Sequence, residues 1–192
     1  MAILAQLQRL FSPRPDKLRA QHLYIALVEQ ARNPVFYTAY GVPDTLDGRF
    51  EMITLHMHLV LQRLSQGFDR MPELRELSRL LIETYFADMD QSLREMGVGD
   101  TGIARKVQKI SGGFYGRLEA YGMASENPAL WPEALRRNVY GTCDIPDAEH
   151  IFRLQGYATV SHAVLAELDD RDLNGNILAF APPESLASTT PG

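Results

Sequence analysis

The sequence predicts an all-α protein, a single-domain bundle of about six helices with a disordered C-terminal tail. Apolar residues recur at spacings of three and four along most of the 192 residues, the period of helices that bury one face. No segment shows the sustained alternation of a half-buried strand. A chain of this length suits one domain and can bury roughly two-thirds of its unfolded surface, so it needs no disulfide or metal to fold.

The N-terminal segment, residues 1–15, is apolar and ends in two prolines. Its apolar residues recur at helical spacing: Ile3, Leu4, Leu7 and Phe11. Such a segment either lies on a membrane surface or docks on the core as a first helix. The helical domain proper is expected over 16–180, and the polar, proline-containing tail over 181–192.

Capping and turn residues bound the first two helices of the domain. Asp16 can cap a helix over 17–32, and an Asn-Pro pair ends it. The turn formers GVPDTLDG at 41–48 precede a second helix over 46–66. That helix carries a predicted apolar stripe of Phe50, Ile53, Met57, Val60 and Leu64.

Four further helices are predicted over 72–96, 100–124, 128–140 and 146–171. Proline opens the first, aspartate caps the second, and an Asn-Pro pair starts the third. The first of them has the longest apolar stripe: Leu74, Leu77, Leu81, Tyr85, Met89, Leu93 and Met96. The second buries Ile103, Val107, Ile110, Phe114, Leu118 and Tyr121, and the last turns Ile151, Leu154, Ala158, Leu165 and Leu168 inward.

Composition excludes several classes of protein. With 24 acidic and 19 basic residues the net charge is -5, which disfavours bulk binding to DNA or RNA. The single cysteine, Cys143, rules out an intramolecular disulfide and a thiolate-only zinc site within one chain, and it favours a reducing compartment. No stretch approaches the roughly 20 apolar residues that span a bilayer.

Closely spaced histidines and aspartates do not form a site by themselves. His56 and His58 are two residues apart, which is about 200° around a helix, so they cannot share a metal ion; one is expected in the core and one on the surface. The same geometry separates Asp88 from Asp90. Asp90 is placed to pair with Arg94 four residues on, whereas Asp88 is expected to be partly buried, with either a structural or a partner contact.

Known catalytic patterns are absent from the sequence. The D-x-x-H of Asp147 and His150 lacks the second copy that a di-iron bundle needs. There is no G-x-S-x-G, H-E-x-x-H or P-loop. No catalytic residue, metal site or cofactor is therefore predicted. An all-α enzyme or metal-binding protein would require scattered histidines to converge with carboxylates, and a generic helical scaffold also stays open.

A glycine-rich stretch, SGGFYG at 111–116, lies inside a helical pattern. Gly113, Gly116 and Ala120 share one side of that helix and predict a shallow groove, against which either a neighbouring helix or a partner can pack. The flanking charges are segregated, because 101–118 holds four basic residues and no acid: Arg105, Lys106, Lys109 and Arg117. Separated fields of charge suit an oriented protein–protein contact or a solvated helix face.

Two blocks of sequence resemble the ubiquinol-cytochrome c chaperone family. They are YFADMDQSLREMGVGDTGIARKVQKISGGFYGRLEAY at 85–121 and YGVPDTLDGRFEMITLHMHLVLQRL at 40–64, and the resemblance extends over about 20–170. It implies an all-α, non-enzymatic assembly factor for the cytochrome bc1 complex, without a cofactor. The implied partner is cytochrome b or another bc1 assembly protein, with no DNA contact; ribosome contact and a small partner protein are left open.

The resemblance also suggests a location and a binding surface. The sequence lacks a long N-terminal targeting extension, so a bacterial member is expected in the cytoplasm, at the inner face of the membrane, with possible peripheral membrane contact. An apolar groove would shield a hydrophobic client segment, and flanking charges would orient it. The family blocks assign this surface to His58, Asp88, Asp90, Arg94, Asp100, Lys106, Tyr115, Arg117 and Tyr121.

Overall fold

The computed structural model describes residues 15–95, 100–175 and 177–186, and over 100–111 it describes the backbone alone. Within these ranges the chain is helical and contains no strand. The elements are α1 (Pro15–Ala31), α2 (Pro34–Thr38), α3 (Leu46–Gln66), α4 (Glu73–Glu95), α5 (Asp100–Glu126), α6 (Trp131–Asn138), α7 (Ala148–Ala166), α8 (Asp170–Asn174) and α9 (Pro183–Leu186), with a 3-10 turn at Pro128–Leu130 before α6. Six described helices are eight residues or longer, which confirms the predicted all-α bundle.

Helix α3 is the centre of the bundle and packs against α1, α4, α5 and α7. Apolar side chains are buried on several sides of it, including Met52, Leu55 and Leu59, which lie outside the predicted stripe. A helix that is buried all round belongs to the core rather than to the surface layer. The positions of α1, α4, α5 and α7 therefore depend on α3.

Helix α4 is amphipathic, as predicted, and packs along α1. Its buried face contains the expected residues Leu74, Leu77, Leu81, Tyr85, Met89 and Leu93. Met96, the last residue of the predicted stripe, lies outside the described residues. The three-and-four spacing was sufficient here because α4 has one face on the core and one in solvent.

The turn before α3 depends on two glycines. Gly41 has a φ of 62°, a conformation that favours glycine, and the ring of His150 occupies the space that a side chain would need. Thr45 caps α3 by accepting a hydrogen bond from the Gly48 backbone N–H at 3.1 Å. The backbone carbonyl of Pro43 lies against Gly48 and leaves no room for a Cβ.

The last predicted helix, 146–171, is two helices in the structure. Helix α7 ends at Ala166, and α8 begins at Asp170. Asp169 accepts from the Arg171 N–H at 2.7 Å, and Asp172 accepts from the Asp169 N–H at 3.3 Å. This reciprocal capping box starts a new helix, which the periodicity of the apolar residues did not indicate.

The start of the C-terminal tail also differs from expectation. Ala181 and Pro183 are buried, and α9 packs against α2 and α7. The Tyr40 hydroxyl donates to the carbonyl of Pro183 at 2.9 Å, and the Asn33 side chain donates to Glu184 at 2.9 Å. These contacts hold 181–186 on the bundle, whereas 187–192 lie outside the described residues. The N-terminal segment, 1–14, lies outside them too.

A buried arginine joins α3 to the C-terminal end of α7. Arg63 donates from Nε to the carbonyl of Leu165 at 3.0 Å, and its Nη2 lies 2.8 Å from Asp170 Oδ1. Arg70 also pairs with Asp170, at 2.7 Å. Hydrogen bonds from Arg70 and then Arg63 hold the pKa of the Asp170 carboxyl below its usual value. Asp170 lies near the surface, and its side chain is only 11% exposed because the guanidinium groups cover it.

A series of hydrogen-bonded side chains crosses the core beside Phe36. Gln30 donates to the Tyr157 hydroxyl at 3.0 Å, which lies 2.7 Å from His56 Nε2. His56 Nδ1 lies 2.8 Å from the Met52 carbonyl. A carbonyl only accepts, so Nδ1 carries the proton and Nε2 accepts from Tyr157. Burial lowers the pKa of His56 to about 4, and the ring is neutral at physiological pH.

We predict that Arg63→Leu lowers the free energy of unfolding by about 3 kcal/mol, because it leaves the Asp170 carboxylate and the Leu165 carbonyl without their inner donor. Arg70→Leu is the matched control: this side chain pairs with the same carboxylate but is 63% exposed, so its loss should cost less than about 1 kcal/mol. Urea denaturation of both variants measures the difference. Equal losses would show that the buried position of Arg63 contributes nothing.

We predict that the free energy of unfolding falls as the pH is lowered from about 6.5 to about 4. In this range His56 is protonated in the unfolded chain but stays neutral in the folded protein. Full stability is present above the unfolded pKa, and the loss amounts to roughly 3 kcal/mol for one such histidine. His56→Gln should show a shallower dependence of unfolding free energy on pH over this window. Parallel curves for the wild type and the variant would contradict the assignment.

Candidate functional site

An open cleft of about 710 Å³ lies on one side of the bundle. It lies between the start of α3, the described side chains of α5, and the end of α6 with the loop that follows it. Its apolar lining includes Leu46, Phe50, Leu93, Phe114 and Val139, and its polar lining includes Asp47, Glu51, Arg117, Arg137 and Asn138. Such a mixture suits binding of an amphipathic segment.

An ion pair between α3 and α5 forms part of the cleft wall. Arg117 donates from Nε to Glu51 Oε2 at 2.6 Å, and its Nη2 donates to the other carboxylate oxygen. Glu51 is 9% exposed, and burial raises the pKa of its carboxyl although the hydrogen bonds from Arg117 oppose the rise. The two-pronged geometry fixes the angle at which Arg117 enters the cleft.

Aromatic rings connect the core to the protein surface beside the cleft. Tyr85 stacks on Phe114 with ring centroids 4.7 Å apart, and Phe86 meets Phe114 edge to face at 5.3 Å. Tyr115 lies 6.5 Å from Phe86 and is 56% exposed. These aromatic contacts therefore hold Tyr115 in place at the surface, where its ring is exposed to solvent.

The glycines of α5 face open space. A Cβ at Gly112 or Gly116 would meet no described atom within 4 Å, and Ala120 is half-buried. Gly113 differs, because the guanidinium of Arg117 lies against it. The sequence left open whether a neighbouring helix or a partner packs against this groove. Among the described residues, no neighbouring helix packs against Gly116.

The α4 residues of the predicted surface make local contacts. Asp88 accepts a hydrogen bond from the Tyr24 hydroxyl at 2.8 Å, which gives it a structural contact to α1. Burial and then the Asp88 charge raise the pKa of Tyr24. Asp90 accepts from Arg94 Nε at 2.7 Å, which confirms the predicted pair on the helix surface.

Two residues assigned to the exposed surface belong to the core, which corrects that expectation. His58 is 5% exposed, and Tyr121 is fully buried. His58 Nε2 lies 3.3 Å from the Ser125 hydroxyl, and Tyr121 stacks on Trp131 with centroids 5.6 Å apart. Burial, and then the neighbouring His162, lower the pKa of His58 to about 4. Both histidines of the His56–His58 pair are buried because helices surround α3.

Two other assigned residues, Asp100 and Lys106, have side chains outside the described residues, so their expected roles remain predictions. The remaining ones lie in the C-terminal half of α4 and the middle of α5, two helices that pack on each other: Asp88, Asp90, Arg94, Tyr115 and Arg117.

Sequence reasoning missed the residues that build the cleft with Arg117. Glu51 lies in the first half of a helix that is otherwise mostly apolar, and an acid there signals a buried partner. Arg137 and Asn138 gave no signal, because their approach to α5 depends on how α6 packs.

Across the described side chains, no group of three or more His, Cys, Asp or Glu residues could hold a metal ion. The described helices also include none with the length and apolar character needed to cross a bilayer.

The family model described as ubiquinol-cytochrome C chaperone matches residues 38–180. Two curated relatives are named ubiquinol-cytochrome c reductase complex assembly factor 1. The Xenopus laevis protein is 24% identical over 163 residues, which cover 82% of this chain and 77% of the relative. The Drosophila melanogaster protein is 24% identical over 156 residues, which cover 79% of this chain and 60% of the relative. The chain thus matches less than two-thirds of the fly protein.

A solved structure shows the same fold. The crystal structure of the Cbp3 homologue from Brucella abortus superposes with a TM-score of 0.79 at 30% sequence identity. The match covers 95% of this chain and 98% of that one. It includes the helices that form the cleft.

We predict that Arg117→Met lowers the free energy of unfolding by about 2 kcal/mol, since the Glu51 carboxylate is left buried without its donor. The double variant Glu51→Met with Arg117→Met should recover most of the loss, because no unpaired charge remains. Urea denaturation of the two single variants and the double variant measures the coupling. Additive losses would show that the pair is not energetically linked.

Proposed function

This chain belongs to the ubiquinol-cytochrome c chaperone family, and on that premise we propose that it is a non-enzymatic assembly factor of the cytochrome bc1 complex. Its partner is cytochrome b or another assembly protein of that complex. The observation that carries the proposal is the family match, which spans most of the bundle and both sides of the cleft. The names of the two assembly factors support the same process.

The partner surface is the region where α4 and α5 meet, together with the cleft. Tyr115 is the exposed aromatic anchor of this surface, and Gly116 leaves space for a partner backbone beside it. Aromatic side chains held on a rigid base dominate the energetics of many interfaces. The Asp90–Arg94 pair is half-exposed at the same region and sets orientation rather than affinity.

A shielding mechanism follows from this chemistry. A hydrophobic segment of the client lies over Tyr115 and the open side of α5, which removes apolar surface from water on both partners. His58 and Tyr121 act only indirectly, because they hold α5 on the core. The domain at 16–180 binds the client in the cytoplasm at the inner face of the membrane.

The surface can be tested with a photo-crosslinking amino acid at Tyr115 in living cells. Phe152 on α7 is the matched control position, since it is also an exposed aromatic, 45% exposed, and lies away from the cleft. We expect crosslinks to cytochrome b or a bc1 assembly protein from Tyr115 and not from Phe152, because only the first position lies on the proposed surface. Mass spectrometry identifies the captured protein.

Gene deletion supplies the second measurement. The proposal expects deletion to lower the content of assembled bc1 complex, with restoration by the wild-type gene. Normal bc1 content after deletion, with bc1 subunits and assembly proteins absent from the Tyr115 crosslinks, would contradict it. Equal capture at both positions would place the partner surface elsewhere.

A further inference from the structure

The end of α6 brings unpaired hydrogen-bond donors into the cleft. Arg137 lines the cleft as an exposed cation and makes no hydrogen bond or ion pair with any described residue. Asn138 lines it too, and its Nδ2 atom is buried without an acceptor. The buried hydroxyl of Tyr121 lies near the Asn138 side chain, but the two do not meet in hydrogen-bonding geometry.

Arg117 adds a donor from the opposite side. Its Nε and Nη2 are committed to Glu51, and Nη1 remains, lying against the Cα of Gly113. A side chain larger than glycine at position 113 would collide with this guanidinium. The glycine therefore lets Nη1 reach the cleft.

The two carboxylates of the cleft do not balance these donors. Both carboxylate oxygens of Glu51 already accept from Arg117. Asp47 is the other lining acid, and it lies exposed in the first turn of α3, where the helix dipole favours its charge. Of these donors, Asn138 Nδ2 is the buried one; leaving such a group unpaired costs about 1–3 kcal/mol, and native proteins retain few of them without a reason. The surplus indicates a ligand that brings its own acceptors.

We infer that the cleft binds an acidic side chain within an otherwise apolar segment of a partner protein. The carboxylate accepts from Arg137 and Asn138, with Arg117 Nη1 beside them, and such charge-assisted bonds are the strongest class available here. Neighbouring apolar side chains of the segment lie on Leu46 and Phe50, which line the cleft and are not fully buried. The inference rests on the proposed function only in taking the partner to be a protein.

The lining favours a peptide over a lipid. Leu46 and Phe50, which are not fully buried, lie beside the donors in the lining, and this mixture suits a peptide that carries an acid next to apolar side chains. A volume of about 710 Å³ lies within the range of ordinary ligand pockets and accommodates a few residues. We therefore expect the cleft to bind one acidic residue and its immediate neighbours rather than a long apolar chain.

The test is selection of a phage-displayed library of random octapeptides on the full-length protein. Arg137→Gln removes the unpaired cation. Arg136→Gln is its matched control, since Arg136 has the same charge on the same helix and is also exposed, but it is paired with Glu133 and does not line the cleft. The wild type and Arg136→Gln should enrich peptides with Asp or Glu flanked by apolar residues, and Arg137→Gln should not.

The affinity of each variant for the best selected peptide is then measured by fluorescence anisotropy. Binding should weaken at least about tenfold in Arg137→Gln, and equally when the acid of the peptide is changed to its amide. Asp47→Asn should tighten it about two- to fivefold, because a repelling carboxylate leaves the rim. Circular dichroism confirms that each variant is folded.

Three outcomes would overturn the inference: no enriched peptide, enrichment without an acid, or equal binding by Arg137→Gln. Arg137-dependent binding of phosphatidylglycerol vesicles in place of acidic peptides would also overturn it, because the ligand would be a lipid. None of these results bears on bc1 content or on the Tyr115 crosslinks. The inference and the proposed function therefore fail separately.

Discussion

The enclosure of α3 is the constraint on which the rest of the structure depends. Every side chain from Glu51 to Val60 is buried, and so is Arg63, so the polar groups among them need hydrogen-bond partners inside the protein. Glu51 pairs with Arg117 on α5, His56 contacts Tyr157 on α7, and Arg63 reaches Asp170 on α8. Apolar packing alone is non-directional. These three contacts specify which part of each helix faces α3.

The same constraint couples the cleft to the core. Glu51 is both a buried group of α3 and the residue that fixes Arg117, so the cleft wall cannot move without disturbing the centre of the bundle. Tyr115 is fixed in a similar way, because its aromatic neighbours lead back to buried Tyr85. A binding surface with its anchors held in place loses less conformational entropy when a partner binds.

Sequence reasoning succeeded where one face of an element meets solvent. The α4 stripe was predicted residue by residue because one face of that helix meets the core and the opposite face meets solvent. For α3 the stripe was incomplete, and the expectation of one buried and one exposed histidine was wrong, because helicity says nothing about how many neighbours a helix has. The Glu51–Arg117 pair joins residues 66 positions apart, so it depends on packing that no local pattern contains.

The block at 85–121 that resembles the family contains residues of two kinds. Tyr85, Phe114 and Tyr121 are buried and would be needed by any protein with this fold, whatever it binds. Tyr115 is exposed beside them and contributes little to the core. A match to such a block therefore indicates the fold first, and only its solvent-facing members can recognise a partner. The unpaired Arg137 lies outside the block but lines the same cleft, so recognition there depends on residues that the resemblance alone would not select.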